Sequence, residues 1–250
     1  MRTLKQLRGE LIPLQGVTLA DGRPRYLFRG QVEQHRTIVS RFSRLPADDV
    51  LMGQAYTVYR YARQICQGLR GYSIGHLDGV AVLQHYGWPT PLIDFSGVLE
   101  VAVFFALFGA TPKSEAVIYV LDRESLPDDA EFVDHDFLTN ELSDGGLRHR
   151  WLRQDGFAIT PRDWRMADTA RSLNLLADSF RPALDHYAFQ VSDDDTAEIA
   201  DVLDQQGDPI PENVQNLLRI FCEHQFGDEL HPHLQKIIDA ITTDERTNGA

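Results

Sequence analysis

Cysteine is nearly absent from this 250-residue chain, which holds only Cys66 and Cys222. Two cysteines exclude a disulfide framework and a four-cysteine zinc site. Lysine is scarce as well: of the 24 basic residues, only Lys5, Lys113 and Lys236 are not arginine. The longest apolar run, Val98 to Ala110, is too short to span a bilayer and contains Glu100. The first ten residues lack the apolar core of a signal peptide. Both glycine-rich phosphate loops, G-x-G-x-x-G and G-x-x-x-x-G-K-[ST], are missing. So are the G-x-S-x-G nucleophile elbow and the H-E-x-x-H zinc motif. His231 with His233, or Cys222 with His224, cannot present two ligands from one helical face, so no metal site is expected. These absences point to a soluble cytoplasmic protein in a reducing compartment.

What remains has ordinary globular composition, 43% hydrophobic and 24% charged. The net charge of −13 is uneven. Residues 193–250 carry 14 acidic and 3 basic side chains, and the rest of the chain is almost neutral. Phosphates would be repelled there, so a nucleic-acid face is not expected. The acidic quarter reads as a solvated helical surface, or as a face that holds a protein partner.

The hydrophobic pattern mixes strands and helices. Residues 1–10 read as a loosely attached helix. Arg25 to Gly30 reads as a strand, Ala47 to Leu69 as a helix, and Gly75 to Tyr86 as a second helix stopped by Gly87 and Pro89. Pro91 to Ser96 reads as a buried strand and Val98 to Phe108 as a helix buried all round. Ala116 to Leu121 is β-branched and reads as a strand. Residues 122–146 read as mixed loop and helix, 147–160 as two strand pieces pivoting at Gly156, and 187–191 as a strand. Helices follow at 194–206, 212–225 and 229–242. The fold class is therefore α+β, with a mixed or antiparallel central sheet, flanking helices and a helical C-terminal tail. Residues 1–192 form the expected core and residues 193–250 an acidic helical extension packed on it.

The stretch 83–108, LQHYGWPTPLIDFSGVLEVAVFFALF, is unusual. Gln84, His85 and Tyr86 close an apolar helix, and a rigid Gly-Trp-Pro-Thr-Pro turn follows. Asp94 and Ser96 then alternate in an apolar strand, so they share one face. A carboxylate there is costly to desolvate unless it is hydrogen-bonded or serves a ligand. Ser96 also suits an N-cap of the next helix. Arg29 ends its strand and suits pairing with Asp94.

Phe28-Arg29-Gly30-Gln31, Leu83-Gln84-His85-Tyr86-Gly87, Pro89-Thr90, Leu92-Ile93-Asp94 and the run with Ala102, Phe104, Phe105 and Ala106 together resemble the FRG domain family. The later Arg148 and Trp151 to Phe157 resemble that family's Arg-and-Gln-x-Gly segment, so the resemblance covers roughly 26–160. Pro91 departs from the family's usual Arg, and Phe95 from its usual Trp. A second pattern is similar to ADP-ribosyltransferases of the Arg–Ser–Glu class, and implies an ADP-ribosyltransferase-like fold with NAD as substrate. That resemblance implies that Arg29 grips phosphate or ribose, that Ser96 orders the ribose, and that Tyr86 and Thr90 help to bind the nucleotide. The third position holds Gln154, which can bond a hydroxyl but carries no charge to stabilise a cation. Asp94 is the alternative carboxylate.

Three readings stay open. An NAD-consuming effector or toxin of bacterial defence would gather Arg29, His85, Asp94, Ser96 and Gln154 in one cleft. A non-catalytic nucleotide-sensing or interaction module would pair Arg29 with Asp94 in a dry core. A hydrolase or nuclease would use Asp94 and His85, with further carboxylates close by and a basic rim, for which Arg148, Arg150 and Arg153 are the clustered candidates.

Overall fold

The computed structural model describes residues 2–67, 76–85, 87–128, 130–134, 156–163, 173–197 and 212–242. Seven strands form one mixed sheet: β1 (Arg2–Thr3), β2 (Tyr26–Gln31), β3 (Ile93–Ser96), β4 (Glu115–Asp122), β5 (Ala130–Asp134), β6 (Gly156–Pro161) and β7 (Leu184–Gln190). Their spatial order is β1-β7-β4-β2-β3-β6-β5. Among the described strands only β1 and β7 run parallel. Strand β2 is central and pairs on both sides, Arg29 standing opposite Tyr119 of β4 and Phe28 opposite Ser96 of β3.

Helix α1 (Leu4–Gln15) opens with a capping box, in which Thr3 accepts from the Gln6 amide at 3.3 Å and Gln6 Oε1 accepts from the Thr3 amide at 2.9 Å. The expectation of a loosely attached N-terminus fails: Leu4, Leu7 and Leu11, spaced to share one face, are fully buried, and β1 joins the sheet. Helix α5 (Leu99–Leu107) lies on the same sheet face as α1. The two helices are tied where Gln15 Oε1 accepts from the Leu99 amide at 2.8 Å and where Arg8 forks onto Glu100.

Gly30 is where the central strand meets α5. A Cβ there would stand 1.7 Å from the Ala102 carbonyl oxygen. Only glycine permits that approach. Phe28, two residues earlier and on the same face, packs with Leu99, Ala102, Val103 and Ala106. The outer side of α5 is not buried as its sequence suggests: Phe105 is 44% and Phe108 51% exposed.

The other helices cover the β3–β6 end of this face. The helix expected over 47–69 is two, α2 (Asp49–Arg60) and α3 (Ala62–Gln67), interrupted at Tyr61. Asp48 caps α2 by accepting from the Leu51 amide at 2.8 Å. Helix α4 (His76–His85) ends in a Schellman turn: the Gly87 amide donates to the Gln84 carbonyl, the Trp88 amide donates to the Leu83 carbonyl, and Gly87 has φ +93°. Helices α6 (Glu212–Phe226) and α7 (Pro232–Thr242) pack on this group through Leu218, Cys222, Leu234 and Ile238. Gln54 fastens them, donating to the Glu229 carbonyl and accepting from the His231 amide.

The opposite sheet face carries Leu27, Val117, Tyr119, Leu121, Ile93, Phe95, Phe157 and Ile159. Loop residues Ile38, Leu173, Leu175, Phe180 and Ala183 cover it. Asn174 pins that cover by accepting from the Ile38 amide at 3.1 Å. No helix of the described residues is long and apolar enough to cross a membrane.

Candidate functional site

Strand alternation separates the candidate residues into two groups. Ser96 faces Phe28 and α5, and Asp94 shares that face, as their spacing predicts. Arg29 lies between Phe28 and Gly30 and therefore leaves the sheet on the opposite face, beside Tyr119. The side chains of Arg29 and Asp94 neither converge in one cleft nor pair in a dry core. Instead Arg29 Nη1 donates to the main-chain oxygen of Asp94 at 2.8 Å.

On the helical face, a side-chain relay that starts from buried Thr90 holds Asp94. Thr90 is fully buried, and its hydroxyl donates to Gln84 Oε1. The Gln84 amide in turn donates to the Asp94 carboxylate, which is exposed. The Thr90 carbonyl accepts from the Phe42 amide at 3.2 Å, and Arg41 donates to the Gly87 carbonyl at 3.1 Å. The Gly-Trp-Pro-Thr-Pro turn is thus pinned at both ends. Gln84 is the link that sequence reading left out of the site. Ser96 is 3% exposed, and its Oγ accepts from the Val98 amide at 3.0 Å. Val98, not Ser96, is the N-cap, and the side chain that reaches the first turn of α5 is Gln15.

On the other face, Arg29 is half-buried, but its Nε is enclosed and has no hydrogen-bond partner. Desolvation lowers its pKa, and the nearby charge of Arg44 lowers it further, against the opposing pull of Asp94 and Tyr119. Tyr119 is fully buried, and its hydroxyl is also without a partner. Burial raises the phenol pKa, against the influence of the Arg29 charge and the His35 backbone amide. Gln31, two residues along β2 and 8% exposed, has an unpartnered Oε1. Exposed His186 flanks the set, its ring centroid 6.4 Å from that of Tyr119. Tyr119 does not stand out in the sequence, because it sits in an ordinary strand pattern, and Gln31 enters there only as the last residue of the Phe-Arg-Gly-Gln segment.

Tyr86, Gln154, Asp155 and the arginines at 148, 150 and 153 lie outside the described residues, as does the side chain of His85. Among the described residues, no three His, Cys, Asp or Glu side chains gather as metal donors. The two cysteines are buried, and desolvation pushes both thiols up to about 12. An open groove of about 510 Å³ beside Arg2, Gln6, Glu10 and Ala188 contains none of the candidates.

Residues 24–115 match the FRG domain model, so the resemblance read from β2 to α5 is borne out over that stretch. The later segment around Arg148 and Gln154 lies beyond the match. No curated protein and no solved structure matches the chain.

Proposed function

We propose that this chain, which carries an FRG domain, is a nucleotide-binding module that takes the diphosphate of an NAD-type ligand on Arg29. The carrying observation is the state of that guanidinium. It is desolvated, lies within the field of a second arginine, Arg44, and keeps an enclosed Nε without a partner. A cation held this way gains most from an anion, and a planar guanidinium matches phosphate bidentately.

The placement of Asp94 favours binding over catalysis. ADP-ribosyl transfer or NAD hydrolysis needs a negative charge beside an oxocarbenium-like centre. The Asp94 carboxylate points from the face opposite Arg29 and is engaged by Gln84. The defence-effector reading would need a carboxylate from elsewhere. The nuclease reading would need acidic neighbours for Asp94, and none gathers there among the described residues.

The test is thermal shift with NAD, ADP-ribose and nicotinamide. A ligand at a hundredfold excess over its dissociation constant stabilises by about 2.7 kcal/mol. For a chain of this size that is a rise of roughly 5–11 °C. NAD and ADP-ribose should shift the midpoint and nicotinamide should not. Arg29→Lys should remove the shift while the protein stays folded, because lysine keeps the charge without the fork. No shift in the parent at millimolar nucleotide would refute the reading. Nicotinamide released from NAD would replace a binding module with an enzyme.

A further inference from the structure

We infer that the outer edge of β7, from Leu184 to Ala188, takes an extended peptide as an added strand, with a basic side chain of that peptide beside Asp185. On one side β7 pairs with β4 along its whole length, from Leu184 opposite Leu121 to Gln190 opposite Glu115. On the other side β1 covers only Phe189 and Gln190. Among the described residues, no strand pairs with Leu184 to Ala188 on that side. Every second residue of such an edge turns its N–H and C=O outward, which makes a template for another strand. Folded proteins ordinarily blunt an edge with lysine, proline or a bulge. Here the register is unbroken, the stretch holds neither lysine nor proline, and Asp185 is its only carboxylate.

The open groove of about 510 Å³ adjoins this edge, reaching Ala188 from Arg2, Gln6 and Glu10 of β1 and α1. A strand laid on β7 would place side chains between the sheet edge and a helix, a recurring way of holding an extended peptide. Arg2 is already engaged: its Nε meets Glu10 at 3.2 Å, and its guanidinium lies 5.5 Å from the centre of the Tyr187 ring. Asp185 is exposed, shares the sheet face of Tyr187 by alternation, and has no cation partner among the described residues. Burial raises the Tyr187 phenol, and Asp185 and Glu10 raise it further against Arg2, so both carboxylates stand near that ring. Arg2 offsets Glu10 and leaves Asp185 uncompensated. Opposite charges across a strand pair are stabilising, so a lysine or arginine beside Asp185 is favoured. The net charge of −13 likewise draws a basic segment and opposes a second copy of the chain. Strand β4 separates this edge from the strand of Arg29, so the two sites stand or fall separately.

The experiment titrates the full chain, at low salt, with a fluorescent Lys-Val-Lys-Val-Lys-Val peptide, with the same peptide N-methylated throughout, and with Glu-Val-Glu-Val-Glu-Val. The Lys/Val peptide should bind at least about tenfold tighter than its methylated analogue, which keeps the charge and loses every main-chain donor. Its binding should slow amide exchange between Leu184 and Ala188. Asp185→Lys alters an exposed side chain, and circular dichroism checks that the fold is kept. That variant should move the preference by roughly fivefold toward the Glu/Val peptide. Equal binding of the methylated analogue overturns the proposal, because it marks charge attraction alone. So does a preference that Asp185→Lys leaves unmoved, and so does a failure to bind at millimolar peptide. A dimer of the parent that protects the same edge gives it to a second copy and overturns the basic peptide.

Discussion

Replacing Gly30 with alanine should test the close approach of α5 to the central strand. The added methyl would stand 1.7 Å from the Ala102 oxygen, 2.6 Å from the Ala106 nitrogen and 2.8 Å from the Ala102 carbon. All three are backbone atoms, so no rotamer change relieves the clash. Relief to ordinary van der Waals contact at about 3.4 Å requires helix and strand to part by about 1.7 Å. A gap of half that size already forfeits a quarter to a half of each dispersion contact. The contacts at risk are those of Phe28, Leu99, Ala102, Val103 and Ala106. Overpacking ordinarily costs about 1–3 kcal/mol, and a backbone-on-backbone clash belongs at or above the top of that range. We expect about 3–5 kcal/mol, a large share of the 5–15 kcal/mol that typically holds a domain folded. Urea unfolding followed by circular dichroism and tryptophan fluorescence measures it. Gly53→Ala is the control: nothing lies within 4 Å of its Cβ position, on exposed helix, and it should stabilise by about 0.5–1 kcal/mol. A Gly30→Ala protein within 1 kcal/mol of the parent would refute the argument that this glycine is there for the helix.

Other expectations follow from the same geometry. Gln84→Leu leaves the Thr90 hydroxyl buried without its acceptor and should cost about 1–3 kcal/mol in urea unfolding; an unchanged midpoint would mean that the relay contributes nothing. The buried thiols fix a sign for alkaline stability. Folded Cys66 and Cys222 stay protonated up to about 12, whereas unfolded thiols ionise near 9. Above about pH 9 the unfolded chain therefore binds fewer protons than the folded one, and stability should fall as pH rises toward 12. Chemical unfolding across that window should show a shallower decline in Cys66→Ala/Cys222→Ala, and native protein should resist thiol alkylation at pH 8 until denatured.

Local chemistry was readable where one short segment decides its own structure. The β-branched run of β4, the glycine stop after Gln84 and the shared face of Asp94 and Ser96 all follow from period and turn residues. Features set by distant partners were not readable. Strand β5 looks like mixed loop and helix because its strand character comes from β6, which it pairs from Ala130 to Asp134. The two-residue β1 is a strand only because β7 receives it. The side-chain direction of Arg29 depends on register: one residue of slip would have placed it with Asp94. That Gln31 and Tyr119 lack partners was invisible for a related reason, since a missing partner can be recognised only once every neighbour is placed.

The pairing of β1 with β7 sets an order of events during synthesis. Arg2 and Thr3 stand opposite Phe189 and Gln190. At about 5–20 residues per second, roughly 10–40 s separate the emergence of these partners. Through that interval the Leu4, Leu7 and Leu11 stripe has no sheet edge to lie beside, and it gains the α5 surface only about halfway through. The N-terminal helix must therefore stay solvated, or be held by a chaperone, until the last strand arrives. Delaying translation between residues 107 and 184 should lengthen that exposure, and the newborn chain should become more prone to aggregate.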